Sequence, residues 1–379
     1  MTIKTLTCHN VYNYGASLQA FALQEYLMQA GHQVEIIDYL PSYMDKAYRI
    51  RFDLYNVSKS SKYYNYVEKL PFLNYLFILK NLIQHLIKML RQRNRKKAFD
   101  SFTKGKLKLT GQHYTTYEEL SKSDMSADVF IVGSDQVWNP LFNNGRDPSF
   151  FLEFVPQKTR KVSYAASFGV SKLDTDDSKN ISQWLKGFSW VSVRESTGVK
   201  LLHDMNISAC HVVDPVFLLP PDKWRHLCED SVFGHPYDYI LVYNLGAVSD
   251  EIRHCAKTLA SHKGLKIIAV EDIKEIKYAD CCYKNSGPAD FVKLISNASY
   301  VVTNSFHATA FSLIFNKEFF VYIKNTTSSR ISDVLSMVNL SERLNTIDFE
   351  TSVNWDNVNR MLNDVIIQSK SLLNNNLNL

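Results

Sequence analysis

The segment Tyr300–Phe315, YVVTNSFHATAFSLIF, constrains the fold more than any other stretch of the chain. Tyr300-Val301-Val302 is a β-branched and aromatic run of the kind buried in parallel sheets. Thr303, Asn304 and Ser305 are residue types that cap helix N-termini. Ala308 to Phe315 is apolar at most positions and reads as a buried helix. The change from strand to helix therefore falls on Asn304, Ser305 and His307. In open α/β sheets, ligands bind beyond the carboxyl ends of the strands, where helix N-termini attract anions. An imidazole in such a turn can meet a phosphate or carboxylate, or move a proton near neutral pH. The simpler reading is a capped helix whose histidine only packs, and the turn alone does not separate the two.

The same pattern recurs along the chain. Ile3 to Cys8 reads as a strand, His9 to Gly15 as a polar and aromatic loop, Ala16 to Ala30 as a helix stopped by Gly31, and Val34 to Ile37 as the next strand. The loop has one glycine, so the GxGxxG dinucleotide fingerprint is absent. Residues 43–110 interrupt the alternation with a Tyr-, Lys- and Arg-rich stretch of helical character. Strands resume at Val129 to Val132, which leads into Gly133-Ser134-Asp135-Gln136, and at Lys161 to Ala165 and Trp190 to Val193. Val212-Val213 precedes Asp214-Pro215, which reads as a structural turn. A second unit begins near Tyr237, with strands at Tyr239–Tyr243, Lys266–Val270, Tyr300–Thr303 and Phe319–Ile323. Its helices are expected near Asp250–His262, Ala289–Asn297, Phe306–Phe315 and Ser329–Val338. Pro220-Pro221 and Gly234-His235-Pro236 mark the joint. The expected fold is α/β, with two Rossmann-like doubly wound domains facing a cleft, a glycosyltransferase-B-like arrangement. The domains are expected at 1–220, carrying the basic helical insertion 43–110, and at 236–345, with a helix over 350–379 packing back across them.

Composition narrows the function. A hydrophobic fraction of 45% in 379 residues suffices for full cores, and the formal net charge of +5 is mild. The basic residues gather at Arg91, Arg93, Arg95, Lys96 and Lys97 rather than across a face, which argues against a nucleic-acid binder. That cluster follows an apolar helical face of Leu82, Ile83, Leu86, Ile87 and Leu90. A basic amphipathic helix over 79–97 fits an anionic membrane surface; an ordinary solvated helix end is the simpler reading. No apolar run approaches the roughly 18 residues that cross a bilayer. The N-terminus runs directly into a strand without a signal-peptide pattern. The six cysteines have neither metal-ligand nor disulfide-framework spacing. The expectation is a cytoplasmic, reduced protein without a metal, whose membrane contact, if it has one, is peripheral and at the inner face of the plasma membrane.

NYGASLQAFAL (13–23), DVFIVGSDQVWNP (128–140), KVSYAASFG (161–169), VSVRE (191–195), VVDPVFLL (212–219) and YVVTNSFHATAFSLIFNKEFF (300–320) occur in this order. Together they resemble the polysaccharide pyruvyl transferase family. The resemblance implies transfer of a pyruvyl group from phosphoenolpyruvate to a saccharide or lipid-linked glycan, giving a cyclic ketal in exopolysaccharide or capsule biosynthesis. It implies phosphoenolpyruvate as co-substrate and no further cofactor. Family members often read S-x-R-L-H in the last turn, with an arginine two residues before the histidine. Here that position is Ser305, as in a bacterial branch reading SFHGTAF, and the branch's glycine is Ala308.

The donor's phosphate and carboxylate call for cations and N–H donors. Arg194, Ser305, Asn304 and Arg330 are the candidates, with Arg330 taking the place of the arginine missing at Ser305. An ion pair for Arg194 and a surface helix position for Arg330 are the bland alternatives. His307 is the candidate acid and Asp135 the candidate base, with a helix cap as the alternative for Asp135. Asn13, Tyr14, Gly15, Gln136 and Trp138 are assigned to the acceptor, with Trp138 stacking on a sugar unless it belongs to the core. Two other readings stand beside this one. A glycosyltransferase with a nucleotide-sugar donor would place an acid near the ribose, for which Glu271 and Asp272 serve. A non-catalytic saccharide-binding or scaffold protein would retain its role without His307.

Overall fold

The computed structural model describes residues 1–44, 83, 93–234, 237–246, 249–270, 276–323 and 329–377. Most of the insertion 43–110, Glu271, Asp272 and the loop 324–328 lie outside the described residues.

Two five-stranded parallel sheets share one strand order. The first runs β3-β2-β1-β4-β5, with β1 Thr2–Leu6, β2 Gln33–Tyr39, β3 Leu109–Tyr114, β4 Val129–Val132 and β5 Arg160–Ser163. The second runs β10-β9-β8-β11-β12, with β8 Tyr239–Tyr243, β9 Lys266–Val270, β10 Cys281–Tyr283, β11 Tyr300–Thr303 and β12 Glu318–Val321. A two-stranded parallel pair, β6 (Ser192–Val193) and β7 (Cys210–His211), extends the first sheet through bridges from Val162 to Trp190 and from Ala166 to Val193. The central strands show why the sheets are parallel and covered on both faces. Every residue of β4 and of β8 is buried, so neither face meets water.

The topology reverses between β1 and β4 in one sheet and between β8 and β11 in the other, which opens a crevice at each set of carboxyl ends. Helix α1 (Tyr14–Gln29) begins in the first crevice. Its N-cap Asn13 accepts a 3.2 Å bond from Ala16 N. The described end of the basic stretch forms helix α2 over 93–106, and α3 spans Tyr117–Ser121. Helices α4 (Thr175–Leu185), α5 (Ser196–Asp204) and α6 (Pro221–Leu227) complete the first half. In the second half come α7 (Asp250–Lys263), α8 (Pro288–Asn297), α9 (Phe306–Ile314) and α10 (Ser329–Met337). The last helix, α11 (Trp355–Leu377), returns to the first half. Ser369 Oγ accepts from Val213 N at 3.1 Å, and Tyr26 donates to Asn374 Oδ1 at 2.9 Å.

Central strands and helices fall within a residue or two of their expected ends. The departures lie at sheet edges. β3 and β10 are outer strands whose polar or half-buried residues give no apolar run. Strand character expected at Val212-Val213 ends one step earlier, at Cys210–His211.

The halves meet through aromatic packing. Tyr14 stacks on Phe291 with centroids 4.5 Å apart and 7° between planes, and its hydroxyl donates to the Ser286 carbonyl at 3.0 Å. Tyr14 is fully buried there, so it holds the two halves together and does not face an acceptor. Arg95 is also buried. It stacks over Tyr14 and Phe99 and donates to Tyr12 O at 2.9 Å, while Lys96 pairs with Asp100 at 2.5 Å. Of the expected membrane-facing cluster, the described members still open to solvent are Arg93, Lys96 and Lys97.

Candidate active site

A cavity of about 410 Å³ lies where the carboxyl ends of the two sheets face each other. From the first half it is lined by Asn13, Asp135 and Gln136, and from the second by Asn304, Ser305, His307 and Arg330.

The Tyr300–Phe315 segment forms the strand-turn-helix its residues suggest. Ser305 is the N-cap of α9. Its hydroxyl accepts from Ala308 N at 3.4 Å, and its own N–H donates to Thr303 Oγ1 at 3.0 Å. Asn304 Oδ1 accepts from Leu245 N at 2.7 Å and Nδ2 donates to Leu245 O at 3.1 Å, so both ends of the carboxamide hold the loop after β8. The β8–β11 crevice is thereby shaped by Asn304 rather than left open. His307, the second residue of α9, is 7% exposed. Its Nδ1 side presses on the first half. A Cβ placed on Gly15 would come within 1.9 Å of Nδ1, so only glycine admits the ring.

On the first half, Asp135 ends the turn after β4 with φ 75°, a left-handed conformation uncommon for a residue with a side chain. Strained backbone of this kind persists where surrounding structure holds it, often at functional sites. Beneath Asp135 lies a buried ion pair. Arg194, 3% exposed, donates through Nη1 to Asp214 Oδ2 at 2.5 Å, and its Nη2 stands 3.6 Å from Asp135 Oδ1. Its guanidinium carbon lies 4.6 Å from the centroid of the Phe306 ring. Asp214, 1% exposed, also accepts from Ser134 Oγ at 3.0 Å and from Val216 N at 3.1 Å. Its Oδ2 lies 3.7 Å from His307 Nε2, within ion-pair reach though longer than a hydrogen bond. Burial alone would raise the Asp214 pKa; Arg194, and after it His307, outweigh burial and hold it well below the carboxylate range. Asp135, Arg194, Asp214 and His307 thus form a chain of alternating charge type across both halves. Among the described residues, Nε and Nη2 of Arg194 and Nε2 of His307 have no hydrogen-bond partner.

The Asp135, His307, Ser305, Asn304, Arg330, Asn13 and Gln136 positions therefore converge on one cavity. Arg194 does not line it; the guanidinium sits under its floor, paired with the carboxylates that sequence reasoning treated as an alternative partner. Trp138 is a correction. It is 0% exposed, donates to Phe150 O at 2.9 Å and stacks on Phe151 at 5.4 Å, because the turn after β4 folds it into the core. Arg330 opens α10, is half-buried and pairs with no carboxylate among the described residues. Burial, then the charge of Arg194, lowers its pKa. The sequence marks Asp214 only as a turn former. The one sequence sign of its wider role was its place after a strand in VVDPVFLL, but its partners lie 20 residues upstream and in the other half. Among the described residues no group of three or more His, Cys, Asp or Glu side chains is placed to hold a metal.

The sequence matches the family model of polysaccharide pyruvyl transferase over residues 13–324, most of the chain. The chain belongs to the polysaccharide pyruvyl transferase family. The matched span contains every cavity residue named except Arg330. No curated protein matches the sequence. Among solved structures, a UDP-N-acetylglucosamine 2-epimerase described as putative, from Listeria monocytogenes, aligns with TM-score 0.51 at 7% identity, over 98% of this chain and 89% of that one. The MnaA protein of S. aureus, in a co-structure with UDP, aligns with TM-score 0.51 at 11% identity, over 96% and 88%. At such identities the likeness concerns the fold alone, and it agrees with two parallel-sheet domains of glycosyltransferase-B type. Among the described residues no helix is long and apolar enough to cross a membrane.

Proposed function

We propose that this family member transfers the pyruvyl group of phosphoenolpyruvate to two hydroxyls of a saccharide acceptor and releases phosphate. The observation that carries the reading is the cavity itself. It sets one arginine without a carboxylate partner among the described residues, one imidazole and one carboxylate around a space bounded by a helix N-terminus.

In this reading the carboxylate and phosphate of the donor lie against Arg330 and the first turn of α9, where unpaired N–H groups and the helix dipole favour anions. His307 supplies the proton that converts the methylene carbon into a methyl group, so that C2 becomes electrophilic. A saccharide hydroxyl forms a bond to C2 and gives up its proton toward Asp135. The bond from C2 to the phosphate oxygen breaks, inorganic phosphate leaves, and a second hydroxyl closes the ketal with loss of its proton. Arg194 keeps Asp135 in place from behind, and Asp214 holds Arg194 while facing His307. Membrane contact through the solvent-facing basic residues, with a lipid-linked acceptor, is the corresponding proposal for location.

The test is phosphate release from phosphoenolpyruvate in the presence of a panel of saccharide acceptors. Release should require an acceptor and fall by roughly 10²–10⁴ in His307→Ala, the usual range for losing an acid-base group. Absence of release over the panel, with binding of a nucleotide sugar instead, would overturn it in favour of a glycosyltransferase. The fold likeness to the UDP-bound protein makes that the second reading to test.

A further inference from the structure

The outer rim of the cavity carries two adjacent apolar side chains that core packing does not explain. Leu141 and Phe142 are 71% and 52% exposed, and both line the cavity. Single exposed apolar residues are ordinary on protein surfaces; this pair stands out because both side chains line the cavity.

The loop that presents them is firmly held. Asn144 Nδ2 donates to Gln136 O at 2.6 Å and to Val137 O at 3.0 Å. Leu141 N donates to Asn139 Oδ1 at 3.0 Å, and Gly145 N to Phe142 O at 3.1 Å. A Cβ on Gly145 would lie 2.2 Å from the Asn139 carbonyl carbon, so the glycine lets the two arms of the loop touch. The loop ends at Asp147, whose Oδ2 accepts 2.6 Å bonds from both Tyr39 and Tyr43. Phe142 is thus presented on a rigid support, which lowers the ordering cost of binding.

The chemistry around the ring selects an occupant. Asn13, Gln136 and the exposed Asn143, next in sequence to Phe142, line the same cavity and put carboxamides in its wall; Asn13 Oδ1 already caps α1 and Gln136 Oε1 accepts from Asn139 Nδ2 at 2.7 Å. A hexopyranose has one face of C–H bonds, which packs on an aromatic ring, and an edge of hydroxyls, which carboxamides both donate to and accept from. A lipid chain makes no use of the carboxamides. The phosphates of a nucleotide call for cations, and Arg330, the arginine that lines the cavity among the described residues, comes from the other half.

We propose that Phe142, flanked by Leu141 and Asn143, is the platform on which the acceptor hexopyranoside stacks. This rests on the saccharide acceptor of the proposed function but on no particular donor. It also places the stacking ring four residues beyond Trp138, on the solvent side of the same turn.

The test is saturation-transfer NMR with the full chain and methyl hexopyranosides of galactose, glucose and mannose configuration, without donor. The wild type should bind at least one, with strongest saturation on its C–H face. Phe142→Ala should weaken that binding roughly 5–10-fold, and Phe142→Tyr and Phe142→Trp should restore it. In turnover, Phe142→Ala should raise the acceptor KM by the same factor and leave kcat and the phosphoenolpyruvate KM within about twofold. Unchanged affinity in Phe142→Ala overturns the proposal, as does failure of the wild type to bind any free hexopyranoside. Saccharide binding that depends on Phe142, with no turnover of phosphoenolpyruvate, would overturn the donor assignment and leave this platform standing.

Discussion

The two sheets have the same strand order, yet their carboxyl ends are built differently. Beyond β4, β6 and β7, the first sheet gathers Asp135, Arg194 and Asp214 into a nearly dry ionic cluster. Beyond β8 and β11, the second sheet offers a carboxamide, a capped helix start and an imidazole, and its arginine arrives from α10. Topology therefore fixes where a site lies and says little about its charge. The buried cluster needs both a cation and carboxylates to exist, since unpaired charges are costly in a medium of low dielectric. The other edge carries no carboxylate among the described cavity residues, and so leaves its dipole and its arginine for a ligand. The contact of Gly15 with His307 joins the two ends.

The comparison breaks most severely at Asp214. Asp214→Ala leaves Arg194 buried without its main partner and should cost about 3–5 kcal/mol of stability, read by urea unfolding. A surface-like role would cost under about 1 kcal/mol. The pH dependence has a definite sign. The carboxyl is depressed in the folded state, so its contribution is present above the ordinary carboxylate pKa of about 3.9 and is lost as pH falls through the lower folded value. In Asp214→Asn the acid-side loss of stability below about pH 4 should flatten relative to the wild type. An unchanged acid limb would remove the pair from the account.

Gly15→Ala tests the joint between the two ends. The new methyl meets the His307 ring, so the ring or α1 must shift. Overpacking costs about 1–3 kcal/mol, partly offset by roughly 1 kcal/mol from the better helix propensity of alanine. Turnover should fall far more than the melting temperature does. Wild-type turnover with an intact melt would show that the contact does not position His307.

Arg330 tests the second edge alone. Arg330→Ala should raise the KM for phosphoenolpyruvate about tenfold, and Arg330→Lys should recover only part because the planar fork is lost. An effect confined to the acceptor KM would move Arg330 out of the proposed donor site.

How much of this was legible depended on the range over which each feature is encoded. Tyr239–Tyr243 and Tyr300–Thr303 fell at the expected residues because buried parallel strands are written locally, as apolar β-branched runs. Ser305 as a cap and His307 in the turn followed from the same short window. The edge strands Leu109–Tyr114 and Cys281–Tyr283 lack such runs, because one side has no neighbour. Trp138 could not be placed from GSDQVW, since its direction depends on the left-handed turn at Asp135. Asp214 was underrated for a related reason. Its local signal, a carboxylate before proline, is satisfied by the bond from Val216 N, while its long-range partners are set by the meeting of two domains.

The smallest expected effect concerns how the two edges are kept in register. Helix α5 begins after Arg194, but its N-cap Glu195 makes no capping bond. Glu195 Oε1 accepts instead from Ser167 Oγ at 3.0 Å, Phe168 N at 2.7 Å and Gly169 N at 3.2 Å. The vacant cap is filled from the other half. Asp333 of α10 accepts from Ser196 N at 2.6 Å and from Ser196 Oγ at 3.1 Å. Asp333 lies one turn after Arg330, so the bond that caps α5 also holds the helix presenting that arginine. Asp333→Ala should cost about 1 kcal/mol, the usual value of a cap, and raise the phosphoenolpyruvate KM about two- to threefold with kcat nearly unchanged. In an Arg330→Ala background the KM effect should vanish while the stability loss persists. A KM effect that survives without Arg330 would show that Asp333 acts on the cavity by another route.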